Sequence, residues 1–330
     1  MKTLRLHGPG DLRIHEEPEP IPAAGEKLLR VTVVGICGSD LQWFTEAGIG
    51  DAHLNMPLVL GHEFTATTNE GERVAVDPAI PCGVCEYCKR GDLNLCESIK
   101  FAGHGEQDGA LREKMTWPRG CLHPLSERIS DAEGALLEPL GIAMHAVDLA
   151  HLRVGMSVGV FGCGPIGLLI LQLARLAGVS KVLATDLLLH RVEAAHNFGA
   201  DEVRVVTNSF GVQEAALLDQ RGLDVVFEAA GENAAVEMAV AAARPGGKVM
   251  LVGIPPDDRT TFTASLARRK GLTFKLVRRM KLTYPRSIQL VESGKVNLHD
   301  LVTHTFPFEQ SVAAFAVAAR RDGLKVLITP

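Results

Sequence analysis

Four of the seven cysteines fall within fifteen positions, in PCGVCEYCKRGDLNLCES, where Cys82, Cys85, Cys88 and Cys96 give C-x2-C-x2-C-x7-C. Four thiolates on one loop can close a tetrahedral zinc shell with no open position, which makes a structural site. Such a metal would hold together a lobe too polar to fold around a core of its own. An iron–sulfur cluster also uses C-x2-C-x2-C, but the last gap departs from the three-residue ferredoxin spacing and no second cysteine cluster follows. Zinc is the reading, with a cluster or free thiols as the alternatives.

A second set of donors is scattered: Cys37 in GICGSDLQWF, His62 and Glu63 in PLVLGHEF, and Glu138 in ALLEPLG. Singly each has a bland explanation, since a lone Cys is usually a small buried hydrophobe and a lone His a surface or satisfied core residue. Together they offer S, N and O donors, the set a catalytic zinc takes while keeping a position open for water or substrate.

A third motif, GCGPIG, spans Gly162, Gly164, Pro165, Ile166 and Gly167 and fits G-x-G-x-x-G. The pattern alone is weak, but here it follows the strand-like SVGVF and opens a long apolar helix. In that setting Gly162 makes the tight turn, Gly164 lets backbone N–H groups approach a pyrophosphate, and Gly167 permits close helix–strand packing. The helix N-terminus supplies the anion site. The next strand, KVLATD, ends in Asp186, nineteen residues beyond Gly167, where a carboxylate accepts hydrogen bonds from ribose hydroxyls and opposes a 2′-phosphate. NAD is expected rather than NADP, the alternative for Asp186 being a helix cap. Arg191 either stacks on adenine and weakens that preference or is a solvated helix charge.

These motifs need two kinds of scaffold. SVGVFG, KVLATD, EVRVV, DVVFEAAG and KVMLVG read as short Val-rich strands, with IGLLILQLARLAG and ENAAVEMAVAAARPGG as helices between them, which predicts a parallel sheet covered on both faces. The residues up to about Glu138 read as an irregular β domain of short alternating strands. After Pro285 the helical SIQLVESGK, the turn-rich VNLHDLVTHTFPF and the final LKVLIT return to that first domain. The expectation is therefore a catalytic domain of residues 1–140 and 287–330, carrying the cysteine lobe at about 81–97, interrupted by a dinucleotide-binding domain at 141–286.

With 330 residues and 46% hydrophobic content the chain can bury two cores. The net charge of -5 is interspersed, without a basic block, which argues against nucleic acid or an anionic membrane as partner and for a small molecule. The uncharged run from Ser157 to Ala174 approaches membrane-spanning length, yet Gly162, Gly164, Pro165 and Gly167 break it. The N-terminal residues show no signal-peptide core, so a cytoplasmic protein is expected, whose cysteines serve metal or thiol chemistry rather than disulfides.

In combination GICGSD, VLGHE, the cysteine lobe, LLEPL, GCGPIG with Asp186, and ESGKVNLHDLVTHTFPFEQSVAAF resemble the zinc-dependent medium-chain alcohol dehydrogenases over nearly the whole chain, closest to the sorbitol (polyol) dehydrogenase branch. The resemblance implies a GroES-like β catalytic domain split by a Rossmann domain, an α/β fold with substrate in the cleft between them, and a homodimer or homotetramer. It implies two zinc ions per chain. One sits in the cysteine lobe; the other is held by Cys37, His62 and Glu63, with Glu138 nearby as hydrogen-bond partner of a bound water or as an alternative ligand. The simple alcohol branch carries Cys at that last position, so Glu in EPL points to the polyol branch.

The resemblance also assigns Ser39 as a hydroxyl that relays the alcohol proton, against a plain turn residue. Three positions on, where the family often carries a relay His, stands Gln42, which cannot take up a proton; Glu138 with water is the substitute. Trp43 and Phe101 match pocket-lining positions, with simple core as the alternative. Arg279 matches an arginine that bonds substrate hydroxyls. Its neighbours Lys275, Arg278 and Lys281 add positive charge that would suit a sugar acid, as in L-idonate-like oxidation, unless the run is solvated. Cys121 and Cys163 read as packing residues. The leading expectation is an NAD-dependent zinc dehydrogenase of polyols, with threonine-type or simple alcohol oxidation as a rival and a non-catalytic family member as the remote alternative.

Overall fold

The computed structural model describes residues 1–207 and 221–330, which divide into two units, Met1–Pro139 with Lys281–Pro330, and Leu140–Met280. In the first unit the central strand is Glu26–Gly35, EKLLRVTVVG, whose later residues are buried on both faces. It pairs antiparallel with Glu63–Thr68, Lys114–Pro118 and Lys325–Thr329 within a seven-stranded sheet. Leu29, Val31, Val34, Phe64, Trp117 and Phe315 form its core, each contributing roughly 1.5–3 kcal/mol on leaving water.

This pairing brings remote residues to one end of the strand. Gly35 lies opposite Glu63 and also opposite Leu327, two residues past Lys325. Cys37 follows at once, capping the helix Gly38–Glu46. Gly35 is required here, because a Cβ would stand 2.4 Å from Glu63 Oε2.

In the second unit the described residues form a six-stranded parallel sheet in the spatial order Glu202–Val205, Lys181–Asp186, Ser157–Phe161, Leu223–Glu228, Ala243–Leu251 and Thr273–Leu276. The order runs outward in both directions from Ser157–Phe161, the doubly wound arrangement that places a switch point between Ser157–Phe161 and Leu223–Glu228. The uncharged run from Ser157 divides into that strand and the helix Pro165–Leu176. Among the described residues no helix is long and apolar enough to cross a membrane.

One predicted helix is shorter than its composition suggests. ENAAVEMAVAAARPGG is helical only over Asn233–Ala242, and ARPGG opens the strand Ala243–Leu251. Pro245 explains the stop: its ring pushes the preceding residue towards extended backbone. Lys270 Nζ meets the freed carbonyls instead, donating to Val240 O and Ala241 O of the last helical turn and to Ala243 O just beyond it.

Candidate active site

Cys37, His62 and Glu63 converge in the first unit, their donor atoms within 4.8 Å of one another. Two buried charges, absent from the sequence-based assignment, hold them. Asp40, 1% exposed, accepts from Cys37 N at 2.9 Å and Gly61 N at 3.1 Å, and its Oδ1 stands 3.4 Å from His62 Nδ1. One carboxylate thus fixes both backbones and, by facing the ring nitrogen turned away from Ser39, the orientation of the imidazole, as a carboxylate behind a metal-binding His does. Burial opposes the imidazolium, but Asp40 and Cys37 outweigh it and hold His62 well above its ordinary pKa.

Lys325 is the other. Its side chain is 3% exposed and donates to Glu63 Oε2 at 2.5 Å and to Ile36 O at 3.1 Å. It therefore clamps Glu63 and the residue before Cys37 while leaving Glu63 Oε1 for another partner. A hint was present in the sequence: a lone charge at a position where LKVLIT, as a buried strand, calls for an apolar residue.

Glu138, in the first turn of the helix Leu137–Ala150, is 2% exposed and its Oε2 has no hydrogen-bond partner among the described residues. It does not join the three-donor group. Burial, with Glu63 adding, pushes its pKa up to about 8. Ser39 Oγ stands 3.4 Å from His62 Nε2. Gln42 is half-buried with Oε1 unpartnered among the described residues. Phe101 packs against the His62 ring at 5.2 Å, whereas Trp43 is 1% exposed within the core, edge-on to His104.

In the cysteine lobe the four sulfurs also lie within 4.8 Å, with Cys82 Sγ and Cys88 Sγ 4.0 Å apart. Tetrahedral Zn–S bonds of ~2.3 Å imply S–S edges near ~3.8 Å, so the lobe fits zinc. Backbone N–H groups already point at the sulfurs: Cys82 to Cys96, Cys85 to Cys82 and Cys88 to Cys85. N–H groups of Val84 and Cys85 pull the Cys82 thiol down to about 6, whereas burial pushes the neighbouring Cys88 thiol up to about 12, so without a metal the sulfurs share their protons unevenly. Lys281 binds Asp92 of the lobe at 2.6 Å. Cys121 and Cys163 are buried and outside both groups.

The second unit carries the glycine loop. Gly162 has φ +101 and a Cβ there would lie 2.6 Å from Ala230 N; at Gly167 it would lie 1.9 Å from Gly162 O. Around Gly164, Arg191 Nη1 is the one atom among the described residues, outside the loop and helix backbone, that comes within 4 Å of such a Cβ, leaving room above the helix N-terminus, where Pro165 occupies the first turn and Ile166 is half-buried. Asp186 accepts from Cys163 N at 2.8 Å and Leu188 N at 3.0 Å, tying its strand end to the loop while staying partly exposed. These features fit a dinucleotide at the carboxyl ends of the strands. Arg279 belongs to this unit, half-buried with φ +51.

Two family models match, the alcohol dehydrogenase GroES-like domain over residues 23–127 and the zinc-binding dehydrogenase over 165–293. The chain is 32% identical to sorbitol dehydrogenase of Bacillus subtilis, covering 100% of this chain and 97% of that one, and 35% identical to sorbitol dehydrogenase of Homo sapiens, covering 99% and 95%. The chain belongs to the zinc-dependent medium-chain alcohol dehydrogenases. Among solved structures, galactitol-1-phosphate dehydrogenase from Escherichia coli superposes with a TM-score of 0.90 at 28% identity, covering all of both chains. The present chain is accordingly a dehydrogenase that uses zinc and NAD and acts on CH–OH donors.

Proposed function

We propose that this dehydrogenase oxidises a secondary alcohol of a polyol or related sugar derivative, with Cys37, His62 and Glu63 holding the working zinc and Cys82, Cys85, Cys88 and Cys96 a structural one. The observation that carries it is the three-donor group of S, N and O atoms, which Glu138 does not close. Three protein ligands keep a position for substrate or water. The full-length likeness to sorbitol dehydrogenases supports the polyol class. In this reading residues 1–140 and 287–330 form the catalytic domain and 141–286 the NAD domain, and the molecule is a cytoplasmic homodimer or homotetramer.

Zinc supplies a Lewis acid that eases loss of the alcohol proton, and NAD the hydride acceptor. The chain's own residues do the rest. Asp40 orients His62 and Lys325 holds Glu63. Ser39 Oγ, beside His62 Nε2, receives and passes on a proton. Gln42 cannot take it further. Glu138, buried with its Oε2 unpartnered among the described residues, is the group in this reading that takes up and releases the proton in its place. On the cofactor side Gly162, Gly164, Pro165, Ile166 and Gly167 present the helix N-terminus to the pyrophosphate, Asp186 takes the ribose hydroxyls, and Arg191 flanks the loop. Phe101, Trp43 and Arg279 are proposed substrate-side residues, Trp43 from within the core.

The basic run at Lys275, Arg278, Arg279 and Lys281 is weaker support for a sugar acid, because Lys281 is committed to Asp92. The experiment is NADH appearance from zinc-replete protein and NAD across polyols, sugar acids, L-threonine and simple alcohols. Selective polyol turnover is expected. Selective turnover of sugar acids or simple alcohols would overturn the substrate class.

A further inference from the structure

Beside the glycine loop stands a buried carboxylate that the chemistry described so far leaves unused. Glu228 ends the strand Leu223–Glu228 and is 1% exposed. Its Oε1 accepts from Ala230 N at 2.8 Å and Gly231 N at 2.7 Å, with the N–H groups of Glu232 and Gly253 also directed at the carboxyl. Its main-chain oxygen accepts from Val252 N at 2.9 Å and Gly253 N at 3.0 Å. A single residue thus ties the turn at 229–231 to the turn that leaves the neighbouring strand, Ala243–Leu251.

The packing around this knot has no slack. A Cβ on Gly253 would stand 2.2 Å from Gly231 N and 2.9 Å from Glu228 Oε2, and one on Gly231 2.6 Å from Ile254 O. On the other side, the turn backs directly onto the glycine loop: Ala229 N donates to Phe161 O at 2.8 Å, and Gly162 has no room for a Cβ against Ala230. Burial raises the Glu228 pKa while the converging N–H groups pull it back. A carboxylate kept in such surroundings has its charge matched to those donors.

Its place in the sheet says which half of the cofactor this serves. The switch point falls between Ser157–Phe161 and Leu223–Glu228, and a dinucleotide straddles it. Asp186 and the glycine loop lie on the adenosine and pyrophosphate side. The ends of Leu223–Glu228 and Ala243–Leu251 lie on the opposite side. We propose that Glu228 is a positioning residue for the nicotinamide half of NAD, acting by holding the turns at 229–231 and 252–254 without touching the reacting atoms.

The inference rests on the dinucleotide reading, and the test separates the two. Zinc-loaded wild-type and Glu228→Gln proteins are titrated with NADH and with ADP-ribose, which shares the adenosine and pyrophosphate but lacks nicotinamide. The amide keeps the size and turns one acceptor into a donor facing donors. NADH affinity is expected to fall about tenfold or more, as for loss of a hydrogen bond to a charged group, with ADP-ribose affinity within about twofold of wild type. Equal weakening of both ligands would make Glu228 merely structural and overturn the proposal, as would unchanged NADH binding. Wild-type protein that binds neither ligand would overturn the dinucleotide reading as well. If Glu228→Gln does not fold, Glu228→Asp, which retains charge and shortens the reach, is read by the same two titrations and the same outcomes.

Discussion

Lys325→Met keeps most of the aliphatic stem and deletes the ammonium that meets Glu63 Oε2 at 2.5 Å and Ile36 O at 3.1 Å. The two side chains are 3% and 1% exposed, so the carboxylate left behind has no water to replace the cation. Removing one partner of a buried pair costs about 3–5 kcal/mol. At roughly 2–4 °C per kcal/mol for a unit of this size, that is a drop of about 6–20 °C in the melting temperature of the catalytic unit. The full cost applies to metal-free protein, because bound zinc gives Glu63 a second cation. Calorimetric melts of both proteins, stripped and zinc-replete, are therefore expected to differ most without metal. The double variant Lys325→Met with Glu63→Gln should lose less than the sum of the singles, since neither charge is left unpaired. A stripped Lys325→Met protein melting within about 2 °C of wild type would refute the argument that this pair fixes the ligand.

Metal-free protein should lose stability as pH rises, in part through Glu138. Its folded carboxyl titrates near 8 against an ordinary 4.5, so the folded state holds a proton that the unfolded chain has released across that window. The contribution is capped near 5 kcal/mol, is lost progressively between the two values, and should vanish in Glu138→Gln, whose melting temperature then varies less from pH 5 to 8; parallel curves for the two proteins would contradict it. Cys88→Ser should mainly lower thermal stability and reduce bound zinc from two ions per chain to one, measured by melting and metal analysis; unchanged zinc content would remove Cys88 from the structural shell.

Much of the site could be read directly because its donors sit in short local motifs. The four lobe cysteines lie on one loop, His62 and Glu63 are adjacent, and the glycine loop joins a strand to a helix whose change of period marks it. What escaped was long-range or disguised. Lys325 reaches Glu63 across 262 residues, through a strand pairing that no local period encodes. Asp40 lay in view within GICGSD, but its bonds to Cys37 and Gly61 appear only when the loop closes. Glu228 hides in DVVFEAAG, where a strand-terminal acid looks solvent-facing until the turns fold over it. The helix ends at Ala242, short of what its composition suggests: alanines favour helix and, in the sequence, outweigh the Pro signal three residues later.

The central claim is that Cys37, His62 and Glu63 hold the zinc at which a polyol is oxidised. The most direct measurement is NADH formation from NAD and sorbitol by zinc-replete wild type and Cys37→Ser, with zinc content determined on the same samples. Wild type should carry two zinc ions and turn over; Cys37→Ser should keep its fold and the structural zinc, and lose turnover. Full activity in a folded Cys37→Ser protein would contradict the site.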